Sequence, residues 1–194
     1  MEADEALIRS IPWCAALISG PNIVILPTES RKPKESTEDA LFAQTLKTPD
    51  TISGCLTFYN ANPANNPSAS ASASTPINQI NTLVTLGSAV NGYPHVAHGG
   101  LVATLIDEAM GVLLAVNKHP KVAFPDVGRT VTAYLHVTYL KAVVTPSTVL
   151  VSARIKETVG RKLFLEAGVE DRWGVALARA EALWIRVDKE RERL

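Results

Sequence analysis

One short stretch of the chain holds the residues whose types and spacing can do chemistry: His98, the pair Gly99-Gly100, and the adjacent acids Asp107 and Glu108. Glycines at the start of a helix let another molecule come close to the backbone. The first N–H groups of a helix have no internal partner and sit at its electropositive end. Such a mouth can stabilise a carbonyl oxygen that gains negative charge. A carboxylate on the same helix can act as general base on water or as nucleophile. Asp107 lies two turns beyond Gly100 and projects from nearly the same side. Glu108, turned about 100° away, is the alternative base, or else a partner in a structural salt bridge or subunit contact.

These residues need a helix over 98–116 to position them. From Leu101 to Val116 nearly every position is apolar or small, the exceptions being Thr104, Asp107 and Glu108. A helix apolar all round is a buried helix, and at about 1.5 Å per residue this one reaches about 28 Å. Two acids at its middle argue against a membrane span, and carboxylates carried into a core need partners or a purpose. Such a helix needs a sheet that wraps it. Strand patterns occupy 79–90, followed by a turn at Asn91-Gly92, then 130–142, 148–158, 161–171 and 174–187. Short connections predict antiparallel pairing, so the class is α+β. In the 130–142 run, Val131, Ala133, Leu135, Val137 and Tyr139 alternate with Thr132, Tyr134, His136 and Thr138. That alternation puts His136 on the Thr132 side, either packed or lining a pocket.

The first half is less regular. Residues 4–19 predict a short helix interrupted near Pro12, with Leu7, Ile8, Ile11 and Trp13 as anchors. Residues 23–26 predict a strand, and the polar, proline-punctuated 27–39 a loop. A helix over 38–46 is expected, capped by Asp39 and burying Leu41, Phe42 and Leu46, with a strand over 51–59. Residues 60–76 are rich in Ala, Ser, Asn and Pro and cannot build a core. The resulting division is an N-terminal extension (1–59) acting as lid or brace, a low-complexity loop (60–77), the main domain (78–187) and a charged tail (188–194).

Composition narrows the function. The chain has 194 residues, 46% hydrophobic, with 19 basic and 19 acidic side chains. That size suggests one decorated domain, and the zero net charge argues against a broad nucleic-acid surface. Cys14 and Cys55 form no CxxC and suit a reducing compartment. The acidic N-terminus is unlike a leader, so a soluble, cytoplasmic protein is expected. His95 and His98 stand at i, i+3 with no third ligand nearby, so no metal is expected. Arg161 and Lys162 follow Gly160 either as phosphate contacts or as a solvated hairpin tip. No Walker pattern surrounds the glycine pair, and no GxSxG supports a serine esterase.

The segments HGGLVATLIDEAMG (98–111), VTAYLHVTYLKAV (131–143) and ETVGRKLFLEAGVED (157–171) resemble the hotdog-fold acyl-CoA thioesterases, in the branch of phenylacetate-pathway and THEM-type enzymes. The resemblance covers roughly 78–187; the part before it looks like an extension of the kind found in fungal members. It implies an antiparallel sheet wrapped around a long central helix and hydrolysis of an acyl-CoA to free acid and coenzyme A, with no separate cofactor. By that resemblance the Gly99 N–H polarises the thioester carbonyl, Asp107 is base or nucleophile, and Thr132 places the water. His98 lies near the sulfur or supports the loop. Gly100, Asn91, Glu108, Arg161 and Lys162 fall in the substrate-binding set, with Asn91 one position out of step with the family's asparagine. The family joins its units edge to edge, so a homodimer or dimer of dimers is expected, with catalytic groups from both subunits. Small residues Ala103, Thr104, Ala109 and Gly111 would let helices or ligand come close. The rival reading is a non-catalytic acyl-CoA-binding or regulatory hotdog protein, which needs no Asp107–Thr132 pair. A dehydratase would need an Asp-His pair that is not evident.

Overall fold

The apolar run after His98 folds as a single helix, α3 (Gly99–Val116), in a computed structural model that describes residues 2–61, 76–118 and 129–187. By length and composition α3 could cross a membrane, yet Ile106, Met110 and Leu113 are fully enclosed by protein. Around it curves a seven-stranded sheet made of β1 (Ile23–Leu26), β2 (Ile52–Asn60), β3 (Gln79–Leu86), β6 (Arg129–Tyr139), β7 (Ser147–Val159), β8 (Lys162–Glu170) and β9 (Ala176–Val187). The spatial order is β1-β2-β3-β7-β8-β9-β6, with every pair antiparallel. α3 packs on β3, β6, β7 and β8. This is the expected α+β hotdog arrangement. Two of its strands, β1 and β2, come from before residue 60, so that part of the chain is woven into the sheet. Most of the expected 60–77 loop (62–75), residues 119–128 and the expected tail at 188–194 lie outside the described residues.

Alternation along the strands feeds two separate cores. Cys55, Ile80, Val84, Val149 and Val151 face α3. Their neighbours Leu56, Phe58 and Leu83 point the other way and pack on Ile8, Cys14 and Ile18. Those belong to α1 (Glu2–Arg9) and α2 (Pro12–Ile18), the helix pair that Pro12 was expected to divide. The buried Arg31 ties this layer down. Its Nη2 donates to Asp4 Oδ1 and to the Ile52 carbonyl, both at 3.0 Å, and its Nη1 to the Phe42 and Leu46 carbonyls at 3.4 Å. The Cys55 N–H also donates to Asp4 Oδ1 at 3.2 Å.

Three local expectations are corrected. The 38–46 helix is a single wide turn, Leu41–Thr45. Asp39 has φ 59°, a left-handed conformation, and its carboxylate pairs with Lys34 instead of capping; Phe42 is buried, but Leu41 is exposed. Second, the 79–90 strand ends at Leu86, and Asn91-Gly92 is no turn. It opens β4 (Asn91–Tyr93), which pairs with β5 (Val96–Ala97) around His95 at φ 62°.

The third correction bears on the site. β6 pairs with β9, at the sheet's edge, and carries a bulge between Thr132 and Tyr134. One extra residue inverts the alternation. Thr132 opposes Trp184, and Leu135, Val137 and Tyr139 oppose Ala182, Ala180 and Ala178, all on the α3 side. His136 opposes Glu181 and therefore lies on the outer face, not on the Thr132 side.

Candidate functional site

The N-terminus of α3 is held from several sides. The His98 N–H donates to the Val90 carbonyl and the Ala97 N–H to the Val143 carbonyl, both at 2.9 Å. Asn91 Oδ1 accepts from the Thr145 hydroxyl, so the Asn91 carboxamide anchors two loops to each other. His98 is the N-cap: its Nδ1 accepts from the Gly100 N–H at 2.9 Å. This fixes Nδ1 as the unprotonated nitrogen and gives His98 the loop-supporting role. It also commits the Gly100 N–H, which is not free for a ligand. Tyr139 at the end of β6 donates its hydroxyl to the Gly99 carbonyl at 2.8 Å. Among the described residues the Gly99 N–H has no hydrogen-bond partner. It is an unpaired donor at the positive end of an 18-residue helix.

At mid-helix the bulge turns Thr132 inward, and its hydroxyl donates to Asp107 Oδ1 at 2.8 Å. The two residues singled out from separate segments thus meet. Asp107 is only half-buried and Thr132 is exposed, which corrects the expectation of a carboxylate sheltered in the core. The reason is the edge: beyond β6 a single chain has no further strand. That edge exposes Val131, Tyr134 and Tyr139, each about half accessible. An open cleft of about 590 Å³ lies elsewhere, on the outer sheet face beside His136, Ser152, Gly168 and Arg179.

Glu108 faces away from Thr132, into a small space bounded by Thr28, Phe42, Cys55, Thr82 and Leu105. The expected salt bridge is absent among the described residues. Glu108 Oε1 and Ser30 Oγ are both enclosed, and neither makes a well-formed hydrogen bond among the described residues. Burial pushes the Glu108 carboxyl above the usual carboxylate range; Asp39 and Asp107 add to the rise, while the nearby Ser30 hydroxyl and Arg31 oppose it. A group raised on folding contributes stability that is complete below its unfolded value and is lost as pH rises through its folded one. Glu108→Gln is therefore expected to melt higher than the parent at about pH 8 and level with it near pH 4; thermal melts across that range check this.

Arg161 and Lys162 sit at the β7–β8 hairpin tip. Lys162 opposes Ile185, which opposes Val131, so they lie at the Thr132 end of the sheet and not at the Gly99 end. Both cysteines are buried, and burial pushes their thiols up, Cys14 to about 11 and Cys55 to about 12. Two residues of consequence here were given no role from sequence. Tyr139 was visible only as the aromatic seven positions after Thr132. Thr145 had no signal at all, because its partner Asn91 is 54 positions away.

Comparison with known proteins bears on the fold and the family. Residues 95–177 match the family model described as thioesterase superfamily. The chain is 28% identical to verlamelin biosynthesis protein B of Lecanicillium sp, over 86% of this chain and 80% of that protein. It is 32% identical to mouse acyl-coenzyme A thioesterase THEM4 over 54% of this chain; the match spans 42% of THEM4, less than half its length. A Streptococcus mutans protein solved with acetyl CoA superposes with a TM-score of 0.50 at 20% identity, covering 60% of this chain and 87% of that one. At that identity the likeness concerns the fold.

Proposed function

We propose that the chain, whose residues 95–177 match the thioesterase superfamily model, is a hotdog-fold thioesterase that hydrolyses acyl-CoA thioesters. The observation that carries the reading is the Thr132–Asp107 hydrogen bond on the same helix whose Gly99 N–H is left open. Attack on a thioester carbonyl moves negative charge onto its oxygen, which the Gly99 N–H stabilises with the helix dipole behind it. Asp107 supplies the base for water or the nucleophile, and the Thr132 hydroxyl fixes the carboxylate's orientation.

One chain cannot do this alone. Gly99 and Asp107 are eight residues apart, about 12 Å along the helix, whereas both must reach one carbonyl group. α3 runs alongside β6 with Asp107 beside Thr132 and Gly99 beside Tyr139. Antiparallel pairing of β6 with the β6 of a second copy brings the Thr132 end of one against the Tyr139 end of the other. Asp107 of one copy then faces Gly99 of its twin, and the exposed Val131, Tyr134 and Tyr139 are covered. The active unit in this reading is a homodimer with two composite sites.

The test separates the two halves of the site. Gly99 occupies the first helical position, where proline is tolerated and carries no N–H, and His98 is already extended at ψ 135° as a residue before proline must be. Gly99→Pro and Asp107→Asn are each expected to lose acyl-CoA hydrolysis. Mixed and reassorted, they are expected to regain about a quarter of wild-type turnover, since half the dimers then hold one intact site of two. A mixture as inactive as its components refutes the composite site. Wild-type protein that binds acyl-CoA without releasing free coenzyme A favours the binding-protein reading.

A further inference from the structure

The turn joining β8 to β9 holds an aromatic that packing does not explain. Trp173 is 72% exposed, and what sets it apart from an ordinary exposed side chain is the way its turn is held and what surrounds it. The turn is rigid. Asp171 Oδ1 accepts from the N–H groups of Trp173 and Val175, both at 2.9 Å. The Gly174 N–H donates to the Asp171 carbonyl at 3.0 Å, and Gly174 supplies the left-handed residue at φ 74°. Trp173 is therefore presented in a fixed pose, with little ordering left to lose on binding.

Charge surrounds it. The Arg172 guanidinium lies over the indole, 4.2 Å from the ring centroid, which leaves the opposite ring face open. Lys141 lies at the same end of the sheet, since the N–H groups of Leu140 and Lys141 both donate to the Leu177 carbonyl at 2.8 and 3.0 Å. Leu177 is four residues from Trp173, at most about 13 Å of chain. Neither Arg172 nor Lys141 has an ion-pair partner among the described residues. Of the adjacent acids, Glu170 ends β8, and Asp171 is turned inward on the turn's own N–H groups. An open indole face with two cations free of ion pairs at the same end of the sheet suits a phosphorylated purine: stacking holds the base and the cations hold phosphate.

The turn's position relates it to the thioester site. Leu140 and Lys141 follow Tyr139, whose hydroxyl holds the Gly99 carbonyl, so the turn and the open Gly99 N–H share one end of the sheet. Coenzyme A is a thiol-bearing arm that ends in a diphosphate and a 3′-phosphorylated adenosine. Resting on the hydrolase reading, we propose that the β8–β9 turn docks the nucleotide end of the substrate, with Trp173 stacked on adenine and Arg172 and Lys141 on phosphate. Arg161 and Lys162, at the opposite end of the sheet of the same chain, do not share this dock.

The experiment compares an acyl-CoA with the same acyl group on pantetheine, which lacks the nucleotide. In Trp173→Ala, kcat/KM for the acyl-CoA is expected to fall about tenfold through KM, the scale of one lost base stack, with the acyl-pantetheine rate unchanged. Adenosine 3′,5′-bisphosphate should quench tryptophan fluorescence in the wild type and not in Trp173→Ala. Equal acyl-CoA to acyl-pantetheine ratios in the variant and the parent overturn the dock, as does a ratio that collapses in Arg161→Ala and not in Trp173→Ala. A wild type that hydrolyses neither substrate yet binds the bisphosphate through Trp173 removes the hydrolase reading and leaves the dock standing.

Discussion

Replacing Asp107 with asparagine is expected to lower kcat for acyl-CoA hydrolysis by about 10²–10⁴-fold, the usual range for loss of a positioned base, with little change in fold or in KM. Asparagine keeps the shape and can still accept from the Thr132 hydroxyl through its carbonyl oxygen, so the α3–β6 contact at 2.8 Å survives. What is lost is the negative charge that takes the proton from water or attacks the carbonyl. Thr132→Ala removes only the orienting hydroxyl. The carboxylate itself stays in place on α3, so that loss is expected to be the smaller one. The order of the two effects is diagnostic. A general base that needs orienting loses part of its rate without threonine and nearly all of it without the carboxylate. A binding protein is indifferent to both changes, and single-turnover release of free coenzyme A distinguishes the cases. The readout can be thiol-based, because both cysteines are buried with thiols pushed up to about 11 and about 12 and react poorly.

The parts of this site that could be read from sequence are those set by local pattern. α3 was legible because apolar residues fill every face of it, and β1 because four β-branched or aliphatic residues are bounded by proline and asparagine. The order of one long helix followed by strands with tight turns gave the class. What was not legible depends on partners distant in sequence. The bulge at Thr132/Tyr134 is a property of how β6 meets β9, and no period-2 count within β6 contains it; hence His136 was assigned to the wrong face. Asn91-Gly92 carries the strongest short hairpin signal, but the chain turns three residues later, at Pro94-His95. The helix was expected to carry its carboxylates into the core. The sheet ends beside Asp107, while the 28–46 segment covers Glu108, so it is the second acid that lacks water. Polar composition also made 27–39 read as solvated loop, which concealed Arg31.

Arg31→Ala is expected to lower the free energy of unfolding by about 3–5 kcal/mol, the cost of breaking a buried ion pair by removing one partner. The pair is enclosed, with side-chain exposures of 4% for Arg31 and 10% for Asp4, so solvent does little to soften the loss. Arg31 also donates to the carbonyls of Phe42, Leu46 and Ile52, and its removal strips three buried acceptors along with Asp4. Lysine has one ammonium and no planar fork, and Arg31→Lys is expected to recover only part of the difference. A double variant, Arg31→Met with Asp4→Leu, replaces the charges with apolar groups of similar size and leaves no carboxylate stranded. It is expected to be more stable than Arg31→Ala alone, and urea denaturation of the parent, Arg31→Met, Asp4→Leu and the double variant gives the coupling directly. Purely additive losses would mean that Arg31 acts through the carbonyls and not through Asp4. Below the unfolding transition, turnover by Arg31→Ala should stay close to wild type, because Asp107, Thr132 and Gly99 are held by α3 and β6 and not by this brace. A rate that falls with Arg31 while the protein remains folded would mean that the N-terminal layer reaches the reacting groups through α3, with Glu108 as the contact between them.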